Sequence, residues 1–231
     1  MPHTETRRRQ FKNHILNLLE QDDPAAAISA ICRLPARKAV NPLFGFFNSR
    51  EEIIRWRAIT AMGAVVARLA DENMESARVI MRRLLWSLND ESGGIGWGSP
   101  EAMGEIMARH EPLAREYTKL LVSFIREDGN YLEHEVLQRG VIWGLGRLAH
   151  ARPELVRDAE LHLHPYMNSS DNILRGFAAW AAGPIAGNAT RPLLEQLVTD
   201  RTVVRIFRYN RLDDVEIGQV AQRALDHYTP R

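Results

Sequence analysis

The feature that most constrains this chain is an internal repeat. Segments beginning at Trp56, Trp97, Leu137, Ile173 and Val215 resemble one another. Anchored on Arg57, Gly98, Gly140, Gly176 and Gly218, they recur at steps of 41, 42, 36 and 42 residues. A period of this length marks a stack of supersecondary units, each burying its apolar face only against the next. Every step holds two stretches with apolar residues at helical spacing. The second stretch is rich in small residues: Ala58, Ala61, Gly63 and Ala64, then Gly140, Gly144 and Gly146, then Ala178, Ala179, Ala181 and Ala182. Glycine inside a helix costs about 1 kcal/mol relative to alanine. Close packing of neighbouring helices is a physical reason to keep it, and Gly140 is expected at such a contact.

Start and stop signals place the helices. Asp23-Pro24, Asn73, Ser99-Pro100-Glu101, Glu111-Pro112, Ser170-Asp171-Asn172 and Thr190-Arg191-Pro192 each offer a capping side chain, a first-turn proline or both. Ser49-Arg50-Glu51-Glu52 reads as a capping box. The helices pair over about 6–33, 37–70, 74–109, 112–149, 153–186 and 191–228, within a single domain spanning 1–231. The segment 202–215 breaks the pattern: Val203, Val204, Ile206, Phe207 and Tyr209 are β-branched or aromatic, and Asn210 falls where a tight turn would sit. The expected fold is therefore all-α, a right-handed α-α superhelix with a short β-hairpin near 202–215.

Composition narrows the function classes. Thirty basic against 29 acidic residues leave a net charge of +1, so no global field favours a polyanion. The Arg7-Arg8-Arg9 triplet reads as a solvated helix start. One cysteine, Cys32, excludes an internal disulfide and a CxxC metal site, and its neighbours Ala30, Ile31 and Leu34 make it a small buried hydrophobe. The polar first eleven residues lead into no signal-type apolar run, and the stretch 176–187 is too short to span a bilayer. A cytoplasmic protein without membrane association is expected. No Gly-Lys-Ser/Thr follows the glycine-rich loop, no HExxH occurs, and His162 and His164 face apart on a helix. No cofactor, metal or catalytic residue is expected.

The two-helix period, the proline-capped first helices and the small-residue second helices resemble HEAT repeats over about 20–228. They are most similar to the HEAT-like repeats named after phycocyanobilin lyases. The stretch from Asn89 to Ile106 resembles a group of small, uncharacterised bacterial HEAT-like proteins. This resemblance implies a solenoid whose second helices line the concave face. It points first to a non-catalytic scaffold or adaptor that binds a protein or peptide there. Trp97 and Glu101, an aromatic beside a carboxylate, are also similar to what HEAT-like DNA alkylation-repair glycosylases use on a damaged nucleotide, with Trp180 as a further aromatic. Nucleic acid is thus a second, less favoured partner, and a bilin-lyase-like cofactor chaperone is a third reading. The tryptophans otherwise read as inter-repeat core.

Loop 89–98 is the longest joining two helices of a pair, and four of its residues are glycine. Such a loop is costly to order, and loops on a rigid array commonly carry function. The helix starts at 99, 132 and 171 lie at the same edge. The candidate binding residues are therefore Trp97, Glu101, His134, Arg139 and Arg175. Arg139 and Arg175 fall at equivalent repeat positions, 36 residues apart. They form a ladder for an acidic partner or for an internal carboxylate such as Glu101 or Glu135. The arginines at 201, 205, 208 and 211 read as a solvated hairpin edge that discourages strand addition.

Overall fold

The computed structural model describes residues 2–88 and 96–227. The helices follow as pairs: α1 (Pro2–Leu19) with α2 (Pro24–Cys32), α3 (Ala36–Phe46) with α4 (Glu52–Glu72), α5 (Met74–Leu88) with α6 (Ser99–Arg109), and α7 (Glu111–Ser123) with α8 (Glu135–Ala149). Next come the short α9 (Pro153–Val156) and α10 (His164–Met167), which precede α11 (Asn172–Ala182). Then α12 (Arg191–Leu197), strands β1 (Val203–Arg208) and β2 (Arg211–Glu216), and α13 (Ile217–Asp226) complete the series. An inner row runs through the array: α4 packs on α6, α6 on α8, α8 on α11 and α11 on α13. α2 joins the inner row by packing on α4, and the other helices form an outer row. The result is the all-α superhelix with a short hairpin that the repeat implies.

Small residues set the spacing of the inner row. A Cβ on Gly104 would run into the backbone of Gly144, one on Gly63 would sit 2.7 Å from the Cβ of Glu105, and one on Gly146 would sit 2.6 Å from the Trp180 ring. Neighbouring helices therefore approach more closely than alanine would allow. Large side chains fill the space between these contacts. Trp56 lies 4.6 Å from Trp143 and Trp143 lies 5.9 Å from Trp180, ring centre to ring centre, so three tryptophans form an inter-repeat core.

Asp23, Asn73 and Asp171 cap their helices, whereas Thr190, at the cap position of α12, makes no side-chain capping bond. Asp23 accepts from the amides of Ala25 and Ala26 at 3.0 Å, Asn73 from Ser76 at 2.9 Å and Asp171 from Ile173 at 2.8 Å. Ser49, however, accepts from the amide of Glu51, ahead of α4, so it stabilises a turn and no capping box forms. At α6 the cap position belongs to Gly98, with φ of 73°, and Ser99 is already helical. The left-handed conformation and the Phe47 ring against its Cα both favour glycine there. The Ser99 hydroxyl instead meets that of Ser87 at 2.8 Å, tying α6 to the end of α5.

The outer half of the pair expected over 153–186 is broken. Two 3-10 turns, Arg157–Ala159 and Leu161–Leu163, separate α9 from α10. Between those turns Glu160 reaches across to the loop before α12, accepting from the Gly187 amide at 2.6 Å and the Thr190 hydroxyl at 2.5 Å. These charge-assisted bonds fix a bend that a continuous helix would not supply.

The hairpin decides the shape of the inner face. Its strands pair antiparallel, Val203 opposite Glu216 and Arg208 opposite Arg211. Tyr209 and Asn210 at the turn have φ of 52° and 61°, the conformation of a two-residue hairpin turn matched to strand twist. The hairpin folds back across the inner row. Val204 lies against Gly176 of α11, the Trp143 indole of α8 donates to the Phe207 carbonyl at 2.9 Å, and the Phe207 ring stacks on Trp56 of α4 at 5.0 Å and 4°. The middle of the inner face is thus filled by the chain itself. Among the described residues no helix is long and apolar enough to cross a membrane.

Candidate functional site

Trp56, Trp97 and Arg139 each precede an anchor of the repeat, so they occupy equivalent positions on successive units. The starts of α4, α6 and α8 bring them side by side. With α11 and the hairpin they enclose a cavity of about 550 Å³. Its lining combines Arg55, Trp56, Trp97, Glu101, Leu137, Arg139, Gly140 and Phe177 with Arg205 and Asp214 of the hairpin.

Most charges of this lining are neutralised internally. Arg205 grips Asp214 with two bonds of 2.7 and 2.8 Å and lies 3.6 Å from Glu52, which in turn meets Arg55 at 3.6 Å. Arg139 donates to Asp171 at 2.7 Å, the residue that also caps α11, and reaches Glu135 only at 3.8 Å.

Glu101 is different. Its Oε2 is buried and has no hydrogen-bond partner. It fits only because position 140 is glycine: a Cβ there would lie 2.7 Å from Oε2 and 2.9 Å from Oε1. Burial strips water from the carboxyl and pushes it up to about 7, against the opposing effects of a backbone hydrogen bond and of the Arg55 charge. A second lining residue holds an atom in this state. Trp56 is 6% exposed, and its indole N–H is buried without an acceptor. Among the described residues one further buried polar atom lacks a partner, Arg57 Nε, whose guanidinium already donates to the carbonyls of Leu19 and Gln21 at the end of α1.

Of the five candidates, Trp97, Glu101 and Arg139 line one cavity. His134, exposed at the start of α8, touches it through an edge contact with Trp97, 6.2 Å between ring centres. Arg175 does not line it. That guanidinium donates to Asp200 and to the Ser169 carbonyl, each at 2.8 Å. Both arginines of the ladder thus hold an aspartate further along the chain, Asp171 or Asp200. Residues 89–95 of the glycine-rich loop lie outside the described residues. Trp180, the further aromatic implied by the glycosylase resemblance, is 9% exposed and stacks on His150.

Trp56 was not among the candidates, although its repeat position, that of Trp97, is the signal that would have marked it. The contribution of Arg205 and Asp214 was not legible, since nothing in residues 202–215 states where the hairpin docks. On the hairpin's other side a smaller cavity of about 280 Å³ is lined by Glu105, Arg147, His150 and Trp180. There Glu105 bridges Arg109 and Arg147 at 3.0 Å each, and burial lowers His150 to about 4.

No family model matches the chain. An uncharacterised protein of Archaeoglobus fulgidus is 31% identical over 117 residues, 51% of this chain and 55% of that protein. The chain therefore spans about half the length of the relative it matches. Among solved structures, a designed armadillo repeat protein in complex with the peptide (KR)4 aligns with a TM-score of 0.54 and 16% identity, covering 94% of this chain and 98% of that one. An engineered protein aligns with a TM-score of 0.52 and 15% identity, covering 94% and 95%. At such identities the likeness concerns the fold alone, and it supports no narrower assignment such as the bilin-lyase type. The chain has the helical-repeat solenoid fold that it shares with the designed armadillo protein.

Proposed function

We propose that this chain is a non-catalytic binding module that takes a protein or peptide partner at the cavity lined by Trp56, Trp97, Glu101 and Arg139. The observation that carries this reading is that two residues lining one cavity, Glu101 and Trp56, each hold a buried, unbonded polar atom, Oε2 and Nε1. A buried polar group without a partner costs roughly 1–3 kcal/mol. A partner that supplies a donor to one and an acceptor to the other recovers that cost on binding. A cavity of about 550 Å³ suits a side chain or a chain end. The partly exposed Trp97 supplies an aromatic anchor. The designed armadillo protein with its bound peptide is a precedent for peptide binding on this class of fold. The hairpin occupies the middle of the inner face, so the partner engages the edge cavity and not an open groove. We read the protein as cytoplasmic, a compartment in which a lone thiol such as that of Cys32 stays reduced.

The test is selection of a displayed random peptide library on the immobilised protein, with Trp97→Ala as the counter-target after its helicity is checked. Enriched peptides are expected to bind Trp97→Ala at least tenfold more weakly. Peptides that bind both proteins equally place the partner site elsewhere and overturn the reading.

One observation favours nucleic acid at a different place. Arg7, Arg8 and Lys12 of α1 line a groove of about 770 Å³ with Arg37 and Lys38 of α3. None of these five forms an ion pair among the described residues, although most arginines elsewhere do. Binding of a labelled single-stranded oligonucleotide against salt would test it. Each phosphate contact contributes a slope of about −0.7 in log affinity against log salt. Absence of binding at low salt removes this second reading.

A further inference from the structure

We infer that the group received by the cavity is a primary ammonium of the partner, held by Glu101 Oε2, with an adjacent carbonyl accepting from Trp56 Nε1. This names the ligand chemistry of the proposed binding site and rests on that reading.

Charge balance selects a cation. The charged groups that line the cavity with Glu101 are Glu52 and Arg55 of α4, Arg139 of α8, and Arg205 and Asp214 of the hairpin, while Glu135 and Asp171 meet Arg139, and His134 meets Trp97. Arg205 is matched by Asp214 and Glu52, Arg139 by Asp171, and Arg55 shares Glu52. Among the described residues Glu101 forms no ion pair, and its Oε2 has no hydrogen-bond partner. An incoming anion would meet guanidiniums already engaged and a carboxylate that repels it.

Hydrogen-bond geometry then selects an ammonium over a guanidinium. One oxygen of Glu101 is left buried and unbonded, so the site asks for a single donor. A guanidinium binds carboxylate best as a fork on two oxygens, whereas an ammonium is a compact point charge. Neither cation can satisfy the indole N–H, which needs an acceptor. A peptide supplies both groups close together, as a lysine ammonium with a main-chain carbonyl or as a free amino terminus with the carbonyl of its own residue. Leu137 and Phe177 provide apolar surface for the carbon atoms that carry the amine.

The experiment follows the indole Nε1–H signals of Trp56 and Trp97 in the 15N-labelled full chain, titrated with three blocked peptides. Acetyl-Gly-Lys-Gly-amide carries a lysine amine, Gly-Gly-Gly-amide carries only a terminal amine, and acetyl-Gly-norleucine-Gly-amide carries the hydrocarbon stem with no amine. The Trp56 signal is expected to move with an amine-bearing peptide and not with the norleucine peptide. A response to the lysine peptide alone identifies the side chain as the source, and a response to the free terminus alone identifies the chain end. Affinity for the lysine peptide is expected to rise about tenfold between pH 6 and pH 8, as Glu101 ionises, and that for the terminal amine, which itself loses its proton near pH 8, by about half as much. Glu101→Gln is expected to weaken binding at least tenfold.

The inference is overturned if neither amine moves the Trp56 signal, or if the norleucine peptide moves it as strongly. Both comparisons use the unaltered protein, so they hold even if Glu101→Gln fails to fold. Library peptides that depend on Trp97 but carry no lysine and tolerate acetylation refute the ammonium and leave the binding module standing. Amine binding with no selectable peptide refutes the module and leaves the ammonium chemistry standing.

Discussion

The carboxylate of Glu101 on α6 occupies the space where a side chain at position 140 on α8 would begin. Gly140 therefore sits at the close helix contact that the repeat pattern implies, and what it meets there is a carboxylate. A backbone contact exists one turn further on, between Gly104 and Gly144. Gly140→Ala is expected to destabilise by about 1–3 kcal/mol through overpacking, and Gly140→Leu by more. In a Glu101→Ala background the cost of Gly140→Ala should shrink by at least about 0.5 kcal/mol. Denaturant unfolding of the four proteins measures it, and strict additivity would separate the two residues.

The hairpin is held by Phe207, which is 2% exposed between Trp56 and Trp143. Phe207→Ala is expected to cost about 3–5 kcal/mol, the range for truncating a buried aromatic. Tyr209 at the turn is 83% exposed, and Tyr209→Ala should change stability by about 0.5 kcal/mol or less in either direction. Similar melting temperatures for the two variants would mean that the hairpin does not dock on the inner face.

These two cases show what the sequence could state. Helix pairs, cap residues and the hairpin were legible because each rests on local rules: apolar spacing, a capping oxygen, a run of β-branched residues. Trp97, Glu101 and Arg139 were legible as neighbours because a repeat with known steps places equivalent residues side by side. The bend at Glu160 was not, because its cause lies in bonds to Gly187 and Thr190, some thirty residues away. The docking of Phe207 onto Trp56 was hidden for the same reason, since it joins the last repeat to the second.

The two arginines of the ladder should separate in function. Arg175→Ala leaves Asp200 without its 2.8 Å partner in a site where both side chains are under one-fifth exposed. Its expected cost is about 1–2 kcal/mol, between the values for surface and buried pairs. Arg139→Ala should cost less, since that guanidinium is 30% exposed. Arg139 lines the cavity and Arg175 does not, so only Arg139→Ala is expected to weaken a peptide selected on the parent. Equal loss of binding in both variants would place the site along the ladder.

His150, stacked on Trp180 at 5.0 Å, is lowered to about 4 chiefly by burial. Its folded value lies below the unfolded one. Between about 6.5 and about 4 the unfolded chain therefore binds a proton that the folded protein does not, and stability falls as pH drops through that window. His150→Asn should show a smaller loss of stability between pH 7 and pH 5 than the parent. Identical losses would assign the acid sensitivity to other groups.

The carboxyl of Glu101, with Oε2 buried and unbonded, is the centre of the proposed site, and it can be observed without any ligand. Its folded value is raised, so between about 4.5 and about 7 the folded protein keeps a proton that the unfolded chain has released. Stability contributed by the neutral form is lost as pH rises through that window. Glu101→Gln, neutral throughout, should lack this loss and gain relative to the parent near pH 8. The most direct measurement is a 13C NMR titration of the Glu101 carboxyl in the free protein, assigned by its absence from Glu101→Gln. A midpoint near 7 is the expected result. Titration in the ordinary glutamate range, near 4.5, with no difference in pH-dependent stability between parent and variant, would show a solvated or paired carboxylate and contradict the site.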